Sequence, residues 1–214
     1  MIRLKDAKLL SKINWTMILF PLWIFGIFLG ERILVQYENR PGISAVPPSQ
    51  WPEGNTTLKL SDKPTLIMFV HPHCPCSEAS VNELSEIMAQ SQNKLQAYVL
   101  FLKPEGTDDA WVHTSLWKKA QEIPQVKVME DENGEQARLF HASTSGQTIL
   151  YDAQGHLLFS GGITASRGHF GDNAGMNSIV SFVHGGAVKK KSAFVFGCSL
   201  WSHSTQGDKN DFRK

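Results

Sequence analysis

"TLIMFVHPHCPCSEASVNELSEIMAQ", residues 65–90, is the stretch that decides the fold. Its opening, "TLIMFV" (65–70), is a continuous apolar run of the kind carried by a strand buried on both faces. Its end, "SEASVNELSEIMAQ" (77–90), sets Val81, Leu84, Ile87 and Met88 at helical spacing, with Ser77 available as a cap and Glu78 in the first turn. Between them, "HPHCPC" places Cys74 and Cys76 where a strand meets the N-terminus of a helix. Unsatisfied N–H groups and the helix dipole stabilise a thiolate at that junction, which lowers the thiol pKa and creates the reactive species. Cys74, at the strand end, is the better placed nucleophile. A bridge from Cys74 to Cys76 closes a very small ring in which ordinary disulfide geometry is hard to reach, so such a bond is easily reduced and oxidising.

Outward from this stretch, the pattern continues as alternating strands and helices. "QAYVLFL" (96–102) is a second strand. "DDAWVHTSLWKKAQEI" (108–123) reads as one helix, capped by Asp108 or Asp109 and closed by Pro124. "VKVME" is a third strand, followed by a helix through "ENGEQARLFHA". "QTILYD" and "HLLFSGG" form a hairpin joined by "AQG", with Asp152 and Gly155 supplying the turn chemistry. The final helix fits "NAGMNSIVSFVHGG", with Asp172 or Asn173 as cap and Gly185-Gly186 as stop. The expected order is βαβαβαββα.

Toward the N-terminus, Arg3, Lys5, Lys8 and Lys12 precede the uncharged run "WTMILFPLWIFGIFLG" (15–30). A bilayer core takes about 20 apolar residues as a helix, so residues 13–35 read as an uncleaved anchor, and the preceding positive charge keeps residues 1–12 in the cytoplasm. The competing reading is a cleaved signal peptide, but the apolar region is long and no clear cleavage site follows. Residues 36–57, "QYENRPGISAVPPSQWPEGNTT", are rich in proline, glycine and polar residues and read as a linker. Residues 58–200 are then the folded domain, and 201–214 a polar tail.

Composition narrows the function. The chain has 214 residues, 42% hydrophobic, with a formal charge of +1, and its Lys and Arg are spread along the sequence, which gives no nucleic-acid surface. Three cysteines exclude a small disulfide-rich scaffold. The sulfur is there for chemistry: exchange of thiols with a protein partner, or binding of a soft metal. For the second reading, Cys74, Cys76, His71 and His73 offer up to four ligands suited to copper or zinc, provided a turn at Pro72 and Pro75 gathers them. Cys198, in "FVFGCSL", is a candidate third thiol, either to fold back and resolve Cys74 or to complete a metal site, against the plainer reading of a packed residue. The glycine-rich "GGITASRGHFGDNAG" (161–175) carries Arg167 and His169 as candidates to approach Cys74, Arg167 by lowering its pKa or by holding an anionic group.

In element order, and in "FVHPHCPCS" standing where a C-x-x-C motif is usual, the chain resembles the thioredoxin-like superfamily over residues 58–186. The resemblance implies an α/β fold, a three-layer αβα sandwich with a central mixed sheet, here preceded by one transmembrane helix. It implies thiol–disulfide exchange through Cys74 and Cys76, with no cofactor required. More narrowly, "FVHPHCPCS", "TSGQTILYDAQGHLLFSGGITASRGHFGDNAG" and "FGC" resemble RedB-type bacterial proteins, which implies a bacterial inner-membrane protein with a periplasmic domain. Two departures stand out. The usual resolving position holds Ser77, and "SGQT" puts Gln147 where thioredoxins carry the cis-proline that faces the cysteines. Sco-type copper proteins share the fold and use a cysteine pair in this loop, which keeps the copper or zinc reading open. A peroxiredoxin-type peroxidase is disfavoured, because His71 and His73 flank Pro72 in place of the threonine such sites need.

Overall fold

The computed structural model describes residues 15–54 and 56–201. The chain divides into an N-terminal helical unit ending at Glu38 and a second unit from Asn39 onward. In the first, α1 (Trp15–Glu38) runs through Pro21 and has no buried residue. At a rise of 1.5 Å per residue it is about 36 Å long, against a hydrocarbon core of about 30 Å. It is long and apolar enough to cross a membrane. The basic residues expected on its cytoplasmic side, and the polar tail expected over 201–214 apart from Trp201, lie outside the described residues.

The second unit is built on five strands, β1 (Thr65–Val70), β2 (Gln96–Lys103), β3 (Val126–Glu132), β4 (Gln147–Tyr151) and β5 (Leu157–Gly161), in the spatial order β3-β2-β1-β4-β5. β1 runs parallel to β2, and β2 to β3, while β4 is antiparallel to both β1 and β5. All six residues of β1 are buried, as the unbroken apolar run predicts for a central strand. Successive side chains of a strand point to opposite faces. Leu66, Met68 and Val70 therefore join one core with Val81, Leu84 and Ile87 of α2 (Ser77–Gln90), Trp117 of α4 (Ser115–Gln121) and Ile179 of α6 (Ala174–Val183). Ile67 and Phe69 join the other, with Tyr98, Ile149, Tyr151, Ala137 of α5 (Glu135–Leu139) and Phe140. Burial of each such side chain contributes about 1.5–3 kcal/mol, and the two cores give the sheet a covered layer on each side.

Two details of the helices differ from expectation. The helix read over 108–123 is two pieces, α3 (Asp109–Val112), with Asp108 accepting the Trp111 N–H, and α4. Thr114 between them is extended, and its hydroxyl donates to the Pro72 carbonyl at 3.4 Å, a bond to the cysteine loop that interrupts the helix. Ser77 does not cap α2; the N-cap residue is Cys76, and the Ser77 hydroxyl is hydrogen-bonded to the Ser145 hydroxyl.

The stretch 42–51, read as part of a linker, is laid on the folded unit. Trp51 packs edge-on to Phe140 and Tyr151 at 5.4 and 5.3 Å, and Tyr151 donates its hydroxyl to the Pro48 carbonyl at 2.9 Å. The chain after α6 also returns. Lys191 accepts the Ser160 N–H, Val195 accepts the Gly42 N–H, and Val195 and Leu200 are buried. This C-terminal strap crosses the end of the sheet that carries the cysteines.

Candidate active site

The cysteine loop leaves β1 in tight turns. The Cys74 N–H donates to the His71 carbonyl and the Ser77 N–H to the Cys74 carbonyl, both at 3.0 Å. Two turns in succession bring Cys74 back over the start of α2, where the residue is nearly buried, 3% exposed. From the β4 side the loop is held by Ser145, whose hydroxyl accepts the His71 N–H at 2.7 Å and meets the Ser77 hydroxyl at 2.6 Å.

The partner of Cys74 is Cys198. Their sulfurs lie 2.8 Å apart, and the Cys198 N–H points to the Cys74 sulfur at 3.4 Å. The strap delivers Cys198 by antiparallel pairing with the segment before β4: the Ser145 N–H donates to the Cys198 carbonyl at 2.8 Å and the Leu200 N–H to the Ser143 carbonyl at 3.0 Å. Arg167 backs the strap, donating from its guanidinium to the Gly197 carbonyl at 2.6 Å.

These contacts split the three thiols electrostatically. The hydrogen bond from Cys198, helped by Ser77 and by the amides of Cys198 and Cys76, lowers the Cys74 pKa to about 5 against the opposing effect of burial. Cys74 is thus the thiolate at neutral pH. The hydrogen bond with Cys74 pushes Cys198 far above the ordinary thiol range, with burial next and the Cys74 charge after it. Cys76 is raised as well, by burial first and the neighbouring Cys74 second, with Arg167 opposing.

The remaining candidates are placed as follows. The His71 ring accepts the His73 N–H, both rings pack against Trp111, and burial lowers the His71 pKa, so its imidazole is neutral. His169 is exposed, in a turn where its N–H reaches the Ser166 carbonyl. Gln147 is fully buried in β4, with its Oε1 accepting the Ser143 N–H; the residue that meets the cysteine loop is Ser145. There are no cis peptide bonds among the described residues. Among them, too, no group of three or more His, Cys, Asp or Glu is arranged to hold a metal ion.

Sequence reading missed Ser145, Gly197 and Glu83. Glu83, buried on α2, accepts the Gly171 N–H at 2.6 Å and so ties down the loop that carries Arg167. Its sequence signal was a carboxylate on the apolar face of a helix, three residues from both Ser80 and Glu86, and nothing named its partner.

The strand order, the helical layers and the cysteine loop between β1 and α2 are those of a thioredoxin-like fold. No protein-family model matches the sequence, nor does any curated protein. Among solved structures, the chain is similar to an uncharacterized conserved protein from Geobacillus kaustophilus at 22% identity and a TM-score of 0.54, over 78% of this chain and 94% of that one. A hypothetical protein from Sinorhizobium meliloti matches at 15% identity and a TM-score of 0.54, over 77% and 96%. A secreted Mycobacterium tuberculosis disulfide oxidoreductase is more distant, at 16% identity and a TM-score of 0.42, over 59% and 84%. The first two likenesses concern the fold alone.

Proposed function

We propose that this chain is a membrane-anchored, extracytoplasmic thiol–disulfide exchange protein that acts on a protein partner, with Cys74 as nucleophile and Cys198 as resolving thiol. The observation that carries the reading is the 2.8 Å contact between these two sulfurs at a helix N-terminus. An S–S bond is about 2.05 Å, so closing the pair takes a small movement. Cys76 was the first expectation for the resolving thiol and Cys198 the second; the contact with Cys74 favours Cys198.

The chemistry follows from the pairing. The Cys74 thiolate attacks one sulfur of a partner disulfide, forming a mixed disulfide and expelling the other partner sulfur as thiolate. Once Cys74 is bonded it no longer carries charge, and the largest influence that held Cys198 protonated, its hydrogen bond to the Cys74 thiolate, is gone, while burial remains. Cys198 then loses its proton and attacks Cys74, which expels the partner's second thiolate and leaves a Cys74–Cys198 disulfide. The partner has gained two electrons and the dithiol has lost them; the same atoms run the reverse direction. Anchoring by α1 rests on its length and apolarity, and its orientation on the basic residues before it.

Copper or zinc carriage by His71, His73, Cys74 and Cys76 is the less favoured reading. The thiolate of Cys74 is a fitting soft donor, but it is engaged with Cys198, and the two rings pack on Trp111. The test of the exchange reading is reduction of insulin disulfides by the full chain in detergent. Activity lost in both Cys74→Ser and Cys198→Ser supports it; full activity in Cys74→Ser overturns it.

A further inference from the structure

Resting on that reading, we infer that the partner's sulfur reaches Cys74 through the cleft on the β2 side of the cysteine loop, opposite Cys198, and that the cleft takes an extended, cysteine-bearing segment of the partner.

The topology separates the two sides. β1 lies between β2 and β4. Because β2 is parallel to β1 and β4 antiparallel, the residues after β2 and the residues before β4 both stand at the sheet end where Cys74 emerges, on opposite sides of it. The β4 side is filled: Ser143 and Ser145 pair with the strap, and Cys198 rests on the Cys74 sulfur. Gly197 passes so close to the Ser145 carbonyl that there is no room even for a methyl group. The β2 side is open. There a cleft of about 310 Å³ is lined by Cys74, by Pro72, His73 and Pro75 of the loop and by Thr114, Ser115 and Lys119 of the β2–β3 crossover.

Displacement at sulfur runs with the attacking, central and leaving sulfurs near a line. With Cys198 fixed on one side as leaving group or resolver, the other reactant must come from the other side. In the oxidised protein, a partner thiolate attacks the Cys74 sulfur from the cleft; the Cys74–Cys198 bond breaks, and Cys198 leaves with the electron pair and takes up a proton. A second thiol of the same partner then attacks the partner's own sulfur and releases the Cys74 thiolate, so the partner leaves oxidised by two electrons. The cleft is at the lower end of the ~300–1,000 Å³ typical of small-molecule sites, too small for a folded surface and sufficient for a short length of chain. Its lip is hydrophilic and balanced in charge, Lys119 being paired with Glu78 at 3.0 Å, which suits a polar segment without strong charge.

The test uses the full chain in detergent, oxidised with diamide, and follows its reduction by a short polar dithiol peptide and by glutathione. Ser115 is exposed at the start of α4, so Ser115→Trp fills the cleft from its rim. The rate with the peptide is expected to fall by about tenfold or more, and the rate with glutathione by less, while Phe194→Ala on the strap changes neither. An unchanged peptide rate in Ser115→Trp overturns the inference, and a cleft that slows glutathione as much as peptide overturns the choice of a chain segment. A second measurement does not depend on that variant. A peptide trapped on Cys74 in Cys198→Ser, carrying a photocrosslinker beside its cysteine, should label residues 114–119; labelling of 143–145 instead overturns the inference. If the wild-type chain forms no Cys74–Cys198 disulfide, the exchange reading fails, and the crosslinks still decide the side of approach.

Discussion

Gly197 lies against Ser145 so closely that a Cβ at residue 197 would stand 1.9 Å from the Ser145 carbonyl oxygen. That oxygen is backbone and cannot turn away, so the side chain of any other residue forces the strap off the segment before β4. Gly197→Ala should therefore cost about 1–3 kcal/mol of stability, as overpacking does, and should slow formation of the Cys74–Cys198 disulfide. Denaturant unfolding and the rate of thiol loss under diamide check the two halves separately. An alanine variant with wild-type values would mean that the strap is not seated as described.

The ionisation of Cys74 has a definite sign. Its pKa in the folded, reduced protein is lowered to about 5, below the ordinary thiol value, so the thiolate stabilises the folded state fully above the unfolded pKa and the effect is lost as pH falls through about 5. Alkylation of Cys74 by iodoacetamide should be half-maximal near pH 5 in the wild type. In Cys198→Ala the largest cause of the shift is gone, and the midpoint should move up toward the usual thiol range. Mass spectrometry of the alkylated peptide reads this directly.

Arg167 acts by position. Its guanidinium donates to the Gly197 carbonyl at 2.6 Å, a contact that a lysine ammonium does not reproduce in the same geometry. In Arg167→Lys the mixed disulfide at Cys74 should persist longer, because Cys198 is less firmly aimed. The attack of Cys74 on the partner should be altered much less. Quenched-flow trapping separates the two steps; equal slowing of both would show that Arg167 serves the fold alone.

Trp51→Ala tests whether the segment after the anchor is free chain or part of the fold. Two edge-on ring contacts and the burial around them are removed, and the expected loss is about 2–4 kcal/mol by denaturant unfolding. A free linker would lose nothing.

What was legible in the sequence follows the range of each interaction. The strand, the cysteines and the helix from 65 to 90 could be read because apolar runs and helical spacing are local patterns. The break at Thr114 could not, because its cause is a bond to the Pro72 carbonyl across the molecule. Residues 42–51 looked like a linker by their prolines and glycines, yet Trp51 and the Pro48 carbonyl find partners on Phe140 and Tyr151. Cys198 is the sharpest case. It could be named as a candidate thiol, but it sits 124 residues from Cys74 in the chain, and the glycine before it carries meaning only once Ser145 is known to lie opposite.

The most direct measurement is disulfide mapping of the full chain after mild oxidation, by protease digestion and mass spectrometry of the unreduced peptides. The account predicts a peptide pair joined through Cys74 and Cys198, with Cys76 recovered as free thiol. A bond between Cys74 and Cys76, with Cys198 free, would contradict it and return the resolving role to the C-P-C pair.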